Sequence, residues 1–214
     1  MSEMARIGNL IIVSGPSGAG KSALVCGVLD LVHNLRFSVS YTTRLPRGTE
    51  KNGVEYFFVS RQEFESLTAG DSLLEWAEVH GNYYGTSRHF VDEFLGRGED
   101  VLLDIDVQGA KIIRQKRPEA LGVFILPPSY EVLRERIERR NLDTGVVMQQ
   151  RLKRACEEIR HYKEYDYLII NEDLGSSVQE LESIISGARC RMAARIDQAK
   201  SVLATFGGID AEDP

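Results

Sequence analysis

The stretch NLIIVSGPSGAGKS (residues 9–22) decides how the rest of the chain is read. Its first half is a short continuous apolar run that stops at a glycine, the pattern of a strand buried on both faces of a parallel sheet. Its second half, Gly15 to Ser22, matches G-x-x-x-x-G-K-[ST]. Leu24, Val25, Val28, Leu29 and Val32 follow at helical spacing, so the loop stands between a strand and a helix, the context this motif requires. Gly15, Pro16, Ser17, Gly18, Ala19 and Gly20 let the backbone curl until its free N–H groups point inward at phosphate oxygens, and the start of a helix adds favourable partial charge. Lys21 is placed to reach the β and γ phosphates, and the Ser22 hydroxyl to ligate Mg²⁺. The stretch is therefore expected to bind ATP.

Further apolar runs lie at DVLLDID (100–106), LGVFILPP (121–128) and DYLIIN (166–171). Helical patterns lie at 107–114, 129–140, 146–162 and 177–185. This alternation predicts an α/β core with a largely parallel sheet. Asp104 and Asp106 close the second run. As carboxylates two residues apart at a strand end they read either as caps or as groups that hold hydrated Mg²⁺ or orient Lys21, with their separate roles left open.

The segment from about 36 to 90 breaks the alternation. NGVEYFFVS (52–60) and SLLEWAEVHGNYYG (72–85) are strand-like, with a turn signal at Asn52-Gly53. This predicts a small β-rich insertion. It carries FSVSYTTRLPRG (37–48), where Ser38, Ser40, Tyr41, Thr42, Thr43, Arg44 and Arg47 crowd around little apolar material. Planar guanidinium forks and hydroxyls in one place read as a receptacle for an anion such as phosphate.

Composition bounds the alternatives. The 214 residues are 43% hydrophobic, enough for one sizeable core. A formal net charge of -6 argues against a general nucleic-acid binder, which shows a basic face. Cys26, Cys156 and Cys190 are odd in number and lack metal-type spacing, which fits reduced thiols and a cytoplasmic protein. No apolar run reaches the roughly 18 residues of a membrane span. The N-terminus reads as a first strand and not as a signal peptide, and nothing in the sequence sets an oligomeric state. The most basic stretch, RERIERRNLDTGVVMQQRLKR (134–154), reads on its own as a solvated helix pair.

Two phosphate-type sites in one chain imply phosphoryl transfer between two phosphorylated partners. At this point the sequence resembles the guanylate kinase family, over roughly residues 8–187, through GPSGAGKS, SVSYTTRLPR, NGVEYFFVS, LLEWAEVHGNYYGTS, LLDIDVQGA and FILPPS in the family's order. The resemblance implies conversion of GMP, and of dGMP, to the diphosphate with ATP and Mg²⁺. It implies a P-loop kinase core at about 1–35, 91–135 and 152–190, a GMP-binding subdomain at about 36–90 and a helical lid at about 136–151. An extension at about 191–214 lies outside it and is expected to continue as helix before an acidic tail. The resemblance assigns the GMP phosphate to Arg44, Arg47, Tyr56 and Tyr84, and guanine to Ser40, Glu75 and Thr86 with Asp106. It assigns the lid cations to Arg136, Arg140 and Arg151, and puts Asn171 where the family approaches the ATP base. Asn141 stands where a glycine usually follows the lid arginine, a departure expected to alter lid flexibility.

The guanine set makes chemical sense by itself. Guanine presents N1–H and N2–H₂ as adjacent donors, and a carboxylate such as Glu75 accepts from both. Adenine turns a lone pair toward that carboxylate and leaves buried groups mismatched. Glu75 flanked by Leu73, Leu74 and Trp76 also fits the plain polar face of a strand. A sugar-phosphate kinase on the same scaffold should lack this guanine set, and a non-catalytic interaction module should lack Lys21 and Ser22. A GMP phosphate is mostly dianionic near neutral pH, since the second pKa of such a group is about 6, so no general base is needed. His33, His80, His89 and His161 are read as surface or packing residues.

Overall fold

The computed structural model describes residues 6–79, 81–140 and 145–206, apart from the side chains of Arg140 and residues 145–147. The expectations for the Arg140 side chain, for Asn141, for His80 and for the acidic tail lie outside the described residues.

The first run becomes β1 (Leu10–Ser14), with every residue buried. The loop leads into α1 (Lys21–Leu31) and β2 (Leu35–Phe37). Then come β3 (Tyr41–Thr42), β4 (Phe57–Phe58), α2 (Arg61–Ala69), β5 (Leu73–Val79), β6 (Asn82–Ser87) and α3 (Arg88–Gly96). The chain returns through β7 (Asp100–Asp104), α4 (Val107–Lys116), β8 (Leu121–Leu126), α5 (Tyr130–Arg140) and α6 (Gly145–Ile159). It finishes with β9 (Tyr167–Ile170), α7 (Leu174–Ala188) and α8 (Met192–Leu203), the helix expected beyond residue 190.

Five strands form the core sheet in the order β2-β7-β1-β8-β9. Its pairings are parallel, with Leu10 opposite Val101 and Ile11 opposite Leu121. Side chains on β1 alternate between its faces. Ile11 and Val13 pack with Leu24 and Val28 of α1 and with Leu181 and Ile185 of α7. Leu10 and Ile12 pack with Leu74, Val91, Leu95 and Ile113 from the other side. Both faces are covered, so an unbroken apolar run is what β1 requires; each such side chain fully buried is worth about 1.5–3 kcal/mol.

The insertion forms a separate four-stranded sheet in the order β4-β3-β6-β5. It also holds a helix that the β-rich reading passed over. The signal was present: Ser60 accepts from Glu63 N while Glu63 reaches back to Ser60 N, a capping box at the start of α2. β2 belongs to the core sheet, so the core runs to Phe37, slightly past the expected edge of the insertion. A small cluster of Leu133, Ile137, Leu152 and Ala155 joins α5 to α6. None of the described helices is long and apolar enough to cross a membrane.

Candidate active site

Parallel packing delivers the ends of β1 and β7 to one edge of the sheet, outside the carboxyl ends of the strands, where open α/β sheets bind ligands. The loop after β1 hands over to α1 at Gly20, which has φ 93 and leaves the helix without a side-chain cap. Helices α2, α3, α4 and α7 are each capped by a Ser or Asp side chain. The N–H groups of α1 thus stay open to an anion. A side chain at position 20 would be strained at that φ, and its Cβ would stand 2.3 Å from the amide nitrogen of Asn171.

The loop is braced from behind. Asn171 is buried and donates to Ala19 O at 2.8 Å. Arg136 donates to Ala19 O at 3.4 Å and to Asn171 O at 3.0 Å. Lys21 Nζ donates to Gly15 O at 2.6 Å and Pro16 O at 3.3 Å. Ser22 Oγ lies 3.5 Å from Asp104 Oδ2. A hydroxyl next to a carboxylate beside a phosphate loop is a set of hard oxygen donors that fits Mg²⁺, which takes few protein ligands and the rest from phosphates and water.

In front of the loop opens a cavity of about 530 Å³. The loop lines one end, with Lys21 and Ser22. Ser40, Arg47, Tyr56, Glu75 and Tyr84 from the insertion line the other, with Asp104 and Asp106 between them. Gln150, Arg151, Arg154 and Glu158, on one face of α6, complete the wall. Most of the expected residues therefore meet in one cavity. Five of the described ones do not line it: Asn171 and Arg136 brace the loop at Ala19, Thr86 stands behind Glu75, and Arg44 lies behind the wall. Arg44, nine-tenths buried, is tucked between Glu50 and the rings of Tyr56 and Phe58. Asp106 is not part of β7. It is the N-cap of α4 and accepts from Gly109 N at 2.9 Å.

Glu75 faces inward and Trp76 outward, the reverse of what polarity alone favours: Glu75 is 4% exposed and Trp76 42%. A register irregularity between Leu73 and Glu75 re-aims the strand. Trp76 instead packs edge-on against Phe64 and Tyr83. Thr86 Oγ1 donates to Glu75 Oε1 at 2.6 Å. Gly109 makes room for the other oxygen, since a Cβ there would stand 2.7 Å from Glu75 Oε2. Burial pushes the Glu75 pKa up to about 7, helped by the charge of Asp106 and opposed by the Thr86 hydroxyl and Lys116. Burial also pushes the Tyr56 phenol up to about 12, so it stays protonated and able to donate.

Arg154 and Glu158 escaped the reading of the sequence. Arg154 pairs with Glu158 at 3.2 Å and comes within 3.9 Å of Asp106. The signal was the spacing of Gln150, Arg151, Arg154 and Glu158 around one helical face, which begins inside the 134–154 run read as a solvated helix pair.

Residues 7–188 match the sequence model of the family described as guanylate kinase. The chain belongs to the guanylate kinase family. It is 49% identical to the guanylate kinase of Koribacter versatilis over 190 residues, covering 87% of this chain and 82% of that protein. It is 47% identical to that of Shewanella oneidensis over 201 residues, covering 94% and 97%. The guanylate kinase of Anaplasma phagocytophilum, solved as a crystal structure, superposes with a TM-score of 0.79 at 32% identity, covering 96% of this chain and 98% of that one. Both the phosphate loop and the insertion bearing Arg44 to Thr86 fall inside the guanylate kinase match, and α8 falls outside it.

Proposed function

We propose that the cavity carries the γ-phosphoryl group of ATP to the phosphate of GMP, giving ADP and GDP. The observation that carries this reading is one continuous cavity with a phosphate loop at one end and a buried carboxylate at the other. ATP lies on the loop, with Lys21 on its terminal phosphates. The GMP phosphate is held by Arg47, Tyr56 and Tyr84, with Arg44 behind them. Guanine lies against Glu75, with Ser40 and Asp106 beside it and Thr86 orienting the carboxylate. A dianionic phosphate is already a nucleophile, so catalysis reduces to alignment and charge neutralisation. Arg151 supplies charge from α6, and Arg136 of α5 acts from behind the loop it braces. Ser22 with Asp104 would hold Mg²⁺, which would supply further charge neutralisation on the phosphates. Closure of the lid at about 136–151 excludes water and suppresses ATP hydrolysis. The same guanine contacts admit dGMP, and the reaction serves GMP recycling in the cytoplasm. The test is ADP release measured against a panel of nucleoside monophosphates. GMP should be strongly preferred, and a preference for AMP or a sugar phosphate would overturn the reading.

Arg44→Ala and Arg47→Ala should each raise the KM for GMP much more than that for ATP, because a charge-assisted contact is worth about 1.5–3 kcal/mol. Weakened ATP alone would place the clamp on the other nucleotide.

Glu75 ties binding to pH. Only its ionised form accepts both guanine donors, and its pKa stands at about 7. GMP affinity should therefore rise between pH 6 and 8. Titration of the GMP phosphate adds to this trend, so the Glu75 share is what Glu75→Gln removes. That substitution should lower kcat/KM for GMP by about 1–3 kcal/mol, the scale of a buried unsatisfied group, and penalise AMP less than before. Stability should move the opposite way. A carboxyl whose folded pKa is raised costs stability as pH rises from its ordinary value of 4.5 to about 7. The ligand-free Gln variant should thus be more stable at pH 8, on the order of 1–3 kcal/mol. An unchanged ratio of GMP to AMP efficiency would show that Glu75 does not read the base.

A further inference from the structure

The arginines of the GMP end are tied together by a carboxylate that none of the readings above uses. Glu50 Oε1 accepts from Arg44 Nη2 at 2.9 Å, and Glu50 Oε2 accepts from the backbone N–H of Arg47 at 2.7 Å. Glu50 N in turn donates to Arg47 O at 3.1 Å, which closes a turn over residues 47–50. The Arg44 guanidinium donates to Leu45 O at 2.8 Å and lies over the rings of Tyr56 and Phe58, 5.2 and 5.7 Å from their centroids. A negative side chain next to the intended seat of a dianion is electrostatically costly, so it calls for a compensating role. One such role is displacement, with Glu50 occupying donors that the phosphate later takes. The other is orientation. The geometry favours orientation, because Glu50 is bonded into its own turn at both backbone and side chain and cannot swing away without opening that turn.

We infer that Glu50 is a positioning residue of the GMP phosphate clamp: it fixes the plane of the Arg44 guanidinium and shapes the turn that presents the Arg47 side chain to the cavity. It acts through these arginines and does not touch the substrate. Arg44, held at its Glu50 side and on its ring face, is left facing Tyr84, a residue of the cavity wall. The Arg44 bond also holds the Glu50 carboxyl below its usual range, so the pair stays charged at neutral pH.

This inference rests on the GMP reading of the cavity, and the test separates the two. Steady-state kinetics with ATP and GMP are measured for the unaltered protein, for Glu50→Gln and for Glu50→Ala, with thermal melting of each. If the unaltered protein releases no ADP in response to GMP, the GMP reading fails before Glu50 is at issue. If it does, Glu50→Gln should raise the KM for GMP about tenfold, the scale of one weakened charge-assisted hydrogen bond. Its kcat and its KM for ATP should change less than about threefold by the same reasoning. Glu50→Ala should be worse, because Gln keeps one oxygen for either donor. Adding Glu50→Gln to Arg44→Ala should cost less than it does alone, since part of the path is already gone. An unchanged or lowered KM for GMP in Glu50→Gln would overturn the inference, the lowered value in favour of displacement. An equal loss in kcat and in KM for both nucleotides would overturn it in favour of a scaffold role. Should the Ala variant fail to fold, the Gln variant carries the test by itself.

Discussion

Lys21→Met is expected to cut kcat by a factor of about 10²–10³, the loss seen when one preorganised donor to developing charge is removed. Lys21 is the only cation among residues 15–22, and it sits on the first turn of α1 with its ammonium turned back over the loop. Methionine keeps the length and apolar stem of the side chain but cannot neutralise phosphate charge. The two carbonyls that Lys21 now bonds belong to a loop open to the cavity, where water can serve them. The fold should therefore survive, and circular dichroism and melting should match the parent protein closely. Single-turnover measurement of GDP formation separates this chemical effect from product release. Near-normal turnover would remove the phosphate loop from the mechanism.

Asp100→Ala is expected to destabilise the protein by about 3–5 kcal/mol, the cost of leaving buried charge partners unpaired. Asp100 opens β7 and is fully buried. It accepts from Asn9 N at 2.7 Å, from Asn9 Nδ2 at 2.9 Å and from Arg189 Nε at 2.6 Å, and pairs with Arg6 at 3.1 Å. Arg189 also donates to His33 O at 2.7 Å. One carboxylate thus joins the lead-in to β1, the start of β7, the turn before β2 and the end of α7. Burial alone would push its pKa up, but the bonds from Arg6, Asn9 and Arg189 outweigh it and the pKa ends below 3.8. A carboxyl with a lowered folded pKa contributes stability that is present above its unfolded value and lost as pH falls through the folded one. The gap in melting temperature between parent and variant should accordingly be widest near neutral pH and narrow below about pH 4. The measurement is urea denaturation at pH 7 and thermal melting across that range. A variant within about 1 kcal/mol of the parent would mean that Asp100 is not the tie it resembles, since most surface substitutions fall within that scale.

Much was legible from local pattern. NLIIVSGPSGAGKS carries strand, loop and helix in order because a buried parallel strand must be apolar throughout and a phosphate loop must be glycine-rich. The parallel core follows from the later apolar runs, and the proposed pairing of Glu75 with guanine rests on donor and acceptor counting. The helix α2 was equally local and was passed over, although Ser60 and Glu63 announce it.

The remainder depends on which elements meet, and no window of sequence holds that. Glu75 points inward and Trp76 outward because of an irregularity in β5 and because Gly109, thirty-four positions later, opens a recess for the carboxylate. Its raised pKa is a property of that burial and of Asp106 nearby, which outweigh the opposing Thr86 hydroxyl and Lys116. Arg154 and Glu158 line the cavity only because α6 packs on α5 through Leu152 and Ala155. Asn171 braces the phosphate loop across 152 positions of chain. Sequence by itself determined the residue types and local geometries that phosphate and guanine demand, since periodicity and hydrogen-bonding capacity are local. Tertiary structure alone decided orientation, burial and charge state, because each depends on groups that packing brings together from distant parts of the chain.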